Sequence, residues 1–206
     1  MTLLHRTAVA LTIAGIVTGV AAGCTQDPAG TPDGEPSVPD AQLSETDLRA
    51  LLRTGAEVPA GPATCTPDAV EARLAGFDAA LGHRFTFLRV RNVSKQRCEV
   101  EGPPGMGARG ERGSVFTLTV ESAAANSEHR GPVALAPGQE AVSTIEWTGV
   151  LAGAEDERAS MIVVQLAKGQ SPLRVPAHLD GDPDDAEPLD IGMLTTLRVS
   201  PFIPVE

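Results

Sequence analysis

The feature that most constrains this chain is its punctuation. From Cys65 onward, separators such as Pro103-Pro104-Gly105, Ala136-Pro137-Gly138 and Gly169-Gln170-Ser171-Pro172 divide it into short apolar runs. Turn residues at that spacing favour short strands over long helices. Residues 70–77, 84–93, 98–101, 114–121, 133–135, 140–148, 160–166, 173–175 and 195–200 are the expected strands. Their number and even spacing predict an all-β antiparallel sandwich. The chain contains 21 Gly and 17 Pro, in keeping with many turns.

Alternation sets which side chains face inward. In Thr117-Leu118-Thr119-Val120, Leu118 and Val120 share a face, as in a half-buried strand. Residues 84–92 are ambiguous, because Phe85 and Phe87 share parity with Arg89 and Arg91 while Leu88 and Val90 have the opposite parity. A bulge near Phe87-Leu88 would bring all four apolar residues inward.

The N-terminal end reads as an address. Residues 1–7 carry His5 and Arg6 and no acid, and residues 8–20 are uncharged and mostly apolar. A helix of that length rises only about 20 Å, short of the ~30 Å hydrocarbon core, so it reads as the apolar part of a signal peptide. Ala21, Ala22, Gly23 and Cys24 follow at once. This resembles the lipobox of bacterial lipoproteins, with Ala21 standing where Leu is commoner. The resemblance implies removal of residues 1–23, lipid on Cys24, and a place outside the cytoplasm on the outer face of the cell membrane. Two acyl chains, at ~0.8 kcal/mol per buried CH₂, make such an anchor stable.

Residues 24–43 are rich in Pro, Gly and acid, and read as a disordered tether. Residues 25–41 of it, extended at ~3.1 Å per residue, would lift the domain some 50 Å from the bilayer. Residues 44–64 then read as a short amphipathic helix and linker. Ser44 can cap the helix and Asp47 can complete a capping box. Leu48, Leu51 and Leu52 fall on one face, and Gly55 can end it. Packing against the domain and recognition of a partner are both open to it. Residues 65–206 form the sandwich.

With Cys24 assigned to lipid, Cys65 and Cys98 remain as an even pair, open to a disulfide or to two free thiols. Cys65 before the first strand, Asn92-Val93-Ser94 closing the second, and Cys98 four residues later form one pattern. Gly102-Pro103-Pro104-Gly105, Leu135-Ala136-Pro137-Gly138 before the strand with Trp147, and Val199-Ser200-Pro201-Phe202 continue it. Together they resemble the actinobacterial lipoprotein domain of unknown function, number 4232. That resemblance implies an immunoglobulin-like sandwich and a Cys65–Cys98 disulfide, and it supplies no activity.

Enzyme signatures are missing. Gly110-Glu111-Arg112-Gly113-Ser114 is not a nucleophile elbow, because the Ser sits outside the glycines. His83, His129 and His178 are scattered. Residues 180–187 hold the sharpest acidic cluster, and Asp180, Asp182 and Asp184 have the first spacing of a calcium loop, with Glu187 nearby. The match then breaks, since Asp185 replaces the required Gly and Ile191 the bidentate Glu, so a solvated loop is expected.

The opposite cluster is basic. Between residues 84 and 112, Arg84, Arg89, Arg91, Lys95, Arg97, Arg109 and Arg112 face only Glu99, Glu101 and Glu111. In a chain of net charge -11 this group either neutralises acids of its own domain or offers an anion-binding face at Arg89, Arg91, Lys95 and Arg97. Trp147, the single Trp, reads as core. Asn92-Val93-Ser94 fits a glycosylation sequon and reads as strand-end structure. The net acidity argues against nucleic acid as a partner.

The expected function is non-enzymatic binding or scaffolding in the cell envelope, without a cofactor, toward an envelope protein or wall polymer. A wall-acting hydrolase or transferase and a calcium-dependent adhesion module are the alternatives. The anchor is tested by growth with radioactive palmitate: wild type takes up label and Cys24→Ala does not. Equal labelling removes the lipid from the account.

Overall fold

A strand that is apolar on both sides needs two covers, and Ala159–Gln165 is such a strand. The computed structural model describes residues 38–124, 131–148, 156–179 and 189–205, all within the unit Pro36–Glu206. The expected signal peptide (residues 1–23), Cys24, residues 25–37 of the expected tether and the acidic positions Asp180, Asp182, Asp184 and Glu187 lie outside them.

The helix α1 (Glu45–Leu51) is followed by β1 (Leu52–Thr54), β2 (Val70–Ala80), β3 (His83–Asn92), β4 (Cys98–Val100), β5 (Gly105–Gly110) and β6 (Thr119–Ser122). Then come β7 (Val133–Leu135), β8 (Glu140–Thr148), β9 (Ala159–Gln165), β10 (Leu173–Pro176), β11 (Thr196–Val199) and β12 (Ile203–Pro204). One sheet has the order β1-β5-β9-β10 and the larger one β2-β3-β8-β11-β6, with β12 also on β8; β4 and β7 pair separately. The fold is an all-β sandwich. Its ladders are antiparallel except β11 on β6, which run parallel.

Alternation builds the core between the sheets. Ala141, Ser143, Ile145 and Trp147 of β8 are buried, while Glu140, Val142, Thr144 and Glu146 face outward. Trp147 is core, and its indole N–H donates to Asp190 Oδ1 at 2.9 Å. Ile162 and Val164 of β9 join this core. Met161 and Val163 on its other face form a second cluster with Leu43, Leu48 and Leu51.

The bulge lies elsewhere than expected. β3 keeps strict alternation, with Leu88 and Val90 buried and Phe85 and Phe87 half-buried on the outer face. The irregularity is in β2, between Ala75 and Phe77. Gly76 absorbs the extra residue at φ 73°, and a Cβ there would stand 3.1 Å from the Phe87 ring. Glycine therefore gives Phe87 its place, and β3 needs no distortion.

Three other expectations shift. Ser44 and Asp47 do form the capping box, with Asp47 N–H donating to Ser44 Oγ at 3.2 Å and Ser44 N–H to Asp47 Oδ2 at 2.8 Å. The helix stops at Leu51, however, and residues 52–54 pair with β5, so Gly55 follows a strand and does not end the helix. Defined structure is also present within the expected tether: Asp40–Gln42 form a 3-10 turn and Leu43 is buried. Of the expected strand 114–121 only Thr119 onward is strand, although Phe116 and Leu118 are buried.

β5 had no counterpart in the expected strands, because Gly-Met-Gly-Ala-Arg-Gly has neither alternation nor β-branched residues. Close approach explains the glycines. A Cβ on Gly107 would lie 2.0 Å from Leu51 O, and one on Gly105 would lie 2.4 Å from Ala56 N. Cys65 and Cys98 are joined as a disulfide across 33 residues of separation, worth about 4 kcal/mol in the chain-entropy model.

Gly107→Ala forces β1 away from β5 and is expected to destabilise by about 2 kcal/mol, lowering Tm by roughly 4–8 °C. Gly61→Ala is the control, since its nearest neighbour would be 3.7 Å away. A Gly107→Ala melt equal to that of the control would mean that β1 is not seated so closely.

Candidate functional site

The basic cluster is mostly closed within the domain. Arg84 meets Asp190 at 3.4 Å, Arg89 meets Glu140 at 3.1 Å, Arg112 meets Glu157 at 3.9 Å, and Arg109 is clasped by Asp40. Arg73 shares Glu140 at 3.2 Å. Self-neutralisation thus accounts for four of the seven, including Arg89 of the expected anion-binding face. Arg91, Lys95 and Arg97 remain exposed, with no ion pair among the described residues.

A buried amide positions these three. Asn92 is wholly buried: its Nδ2 donates to Gln96 O at 2.7 Å and Leu135 O at 2.8 Å, while its Oδ1 accepts from Ser94 N–H at 2.9 Å and Ser94 Oγ at 2.8 Å. Asn92-Val93-Ser94 is therefore strand-end structure, as expected, with no free amide for a glycan. The pinned loop holds Lys95, Arg97 and the exposed Val93 beside Arg91.

The far end of β3 differs in character. Ala80 pairs with His83 across Leu81 and Gly82, whose φ values are 53° and 85°. Two successive left-handed residues define a type I′ hairpin turn, which favours Asn-Gly. A Leu there strains the backbone by about 1–2 kcal/mol, yet Leu81 is fully exposed. Phe77 is half exposed with its ring 6.2 Å from Trp147, and Ala79 and Ala80 are exposed. Leu197 pairs with Trp147 and Trp147 with Arg84, which puts the start of β11 and the exposed Leu194 at this same end.

Just inside the tip, charge closes again. His83 Nδ1 lies 2.7 Å from Glu146 Oε1, and Arg198 reaches Glu146 at 3.9 Å and Glu121 at 3.4 Å. The His83 ring stacks on Phe85 with centroids 6.3 Å apart. The tip is thus an apolar projection backed by a face on which Arg198 bridges Glu146 and Glu121. The sequence reading ended this strand at Phe77 and missed the turn; the available signal was Leu81-Gly82, two residues between strand-like runs.

Two carboxylates, Glu140 and Glu157, are held in place by hydrogen bonds within the domain. Burial raises the pKa of Glu140, but hydrogen bonds from Arg89 and Arg73 outweigh it and hold the carboxyl below its ordinary value. Glu157 is lowered in the same way, burial being outweighed by hydrogen bonds from Ser114 and the Arg112 N–H. Among the described residues no group of three or more His, Cys, Asp or Glu is placed to hold a metal. A hollow of about 380 Å³ lies beside α1 and is lined by Glu45, Leu48, Asp68, Ser171 and Arg174 among others.

These features define an all-β sandwich module that fits the immunoglobulin-like class, with an apolar hairpin tip at one end and an exposed basic loop at the other. The chain belongs to the family described as domain of unknown function 4232, whose model matches residues 65–202. No curated protein and no solved structure matches it.

The lowered Glu140 pKa carries a pH signature. A carboxyl depressed on folding contributes stability that is full above its ordinary value of 4.5 and is lost as pH falls through the folded value. Glu140→Gln should therefore melt below wild type at pH 7, and the gap should narrow as pH falls below 4.5. A gap that persists unchanged at pH 3 would refute the ion-pair account.

Proposed function

We propose that this protein is a lipoprotein of the actinobacterial cell envelope, held outside the cytoplasm by lipid on Cys24, whose sandwich binds a protein partner through the β2–β3 tip. The lipobox and the short apolar segment before it support the address. The disulfide supports it as well, since such bonds persist outside the cytoplasm. The role is binding and not catalysis.

Leu81 carries the binding reading. Leucine at this turn is unfavourable to the fold twice over, through its left-handed backbone and its full exposure. Backbone strain of this kind belongs to sites where the residue serves something besides folding. With Phe77 it supplies an apolar anchor of the sort that seats in a partner's pocket. A second contact is favoured by Arg91, Lys95 and Arg97, whose exposed charges suit an anionic wall polymer.

Leu81→Asn separates stability from function, because Asn tolerates the left-handed turn and removes the apolar tip. It should raise stability by about 1 kcal/mol, or roughly 2–4 °C in Tm. A photo-crosslinker at Ala79 should capture an envelope protein from intact cells in the wild-type background and lose it in Leu81→Asn. Equal capture by both chains would end the tip reading.

A further inference from the structure

The larger open question in the fold is why a segment that precedes the family domain is built into it. Residues 38–54 lie across the outer face of β5 and β9 as a strap, and they precede the matched stretch 65–202. The surface that receives them lies wholly inside that stretch. It has three matched parts.

The first is a notch for backbone. Gly105 and Gly107 admit β1 so closely that a Cβ at either would strike the main chain of residues 51–56. Glycine at such positions is what lets one backbone approach another. The second is a carboxylate receptor. Arg109 is only 7% exposed, and its guanidinium binds Asp40 and, at 2.6 Å, the carbonyl of Val38. Ser160 Oγ donates to the other oxygen of Asp40 at 2.8 Å. The third is an apolar floor, Met161 and Val163, on which Leu43, Leu48 and Leu51 sit apart from the main core. Arg174 adds a hydrogen bond to the carbonyl of Leu43.

This is the anatomy of a peptide-binding site, with strand addition for affinity and side-chain pockets for specificity. We propose that the outer face of β5 and β9 is such a site, that this chain fills it with its own strap, and that the strap of a second copy is the partner it fits. The required chemistry is visible in the occupant: an acidic residue followed by leucines three, eight and eleven positions later. Occupation in cis is favoured by the covalent link. Residues 55–64 are themselves held, Ala56 N–H on Gln165 Oε1 and Lys168 between Val58 and Ala60, so delivery of the strap to a neighbour requires their release, after which they span about 33 Å when extended. The inference goes beyond the hairpin reading and does not depend on it.

Two measurements on the full chain carrying Cys24→Ala test it. In the first, Asp40→Lys loosens the strap, and a fluorescent peptide of residues 38–54 is titrated in. The peptide should bind this chain with micromolar Kd, bind at least tenfold more weakly where Asp40 is intact, and lose at least tenfold when its own Asp40 is Asn. A folded Asp40→Lys chain that takes up no peptide overturns the site, and so does an Asp40→Lys chain that cannot fold, since the site would not exist empty.

In the second, the single variants Asp40→Cys and Ser160→Cys are mixed under oxidation. A covalent dimer mapped to a 40–160 bond is expected, because in this mixture that bond can form only between copies. The double variant in one chain is the control for geometry. If the control closes and the mixture gives no 40–160 dimer, the second copy is excluded as the partner.

Discussion

β9 has no solvent face. Met161, Ile162, Val163, Val164 and Gln165 are all buried, and the rest of the molecule is arranged to make that possible. One side is met by the larger sheet through Ile162 and Val164. The other is met by α1 and the residues before it. A two-layer sandwich would ordinarily leave that outer face polar. Here its apolar character demands a third layer, and the segment 38–54 provides it. The glycines of β5, the buried Arg109 and the defined structure within the expected tether all follow from the same demand.

The charges obey a complementary rule. Most of the basic residues clustered between 84 and 112 are matched by acids from distant parts of the chain, including Glu140, Asp190, Glu157 and Asp40. Such pairs tie β3 to β8, and tie β5 and the turn after it to residue 40 and to the segment before β9. What remains unmatched or apolar stands out against that background, at the Lys95 loop and at the Leu81 turn. The two lie at opposite ends of β3, so one long strand carries both.

Much of the fold was legible in the sequence. Punctuated apolar runs marked nine of the strands, β6 only in part and β7 and β8 to the residue, because alternation and turn residues are local signals. The Asn92 loop was legible for the same reason. β5 was not, since its residues are chosen for the backbone that lies on them and not for a pleated apolar face. Asp40 was hidden in a stretch whose composition resembles a tether, and its role depends on an arginine 69 residues away. The Leu81 turn was hidden because leucine contradicts the preference of its own position. Pairwise long-range matches and local violations of propensity are the two classes of feature that a single sequence conceals.

The order of strands around β8 bears on when this chain can fold. One edge of β8 is closed by β3, which is nearby in sequence, but its other edge is closed by β11 and β12, formed by residues 196–204. β6 waits longer still, since its parallel partner is β11. A sheet whose central strand is completed by residues 196–204 cannot close before those residues are made, and non-local closure of this kind is slow. Until residues 196–204 are available, one edge of β8 and the parallel partner of β6 are both missing, so the larger sheet is completed late.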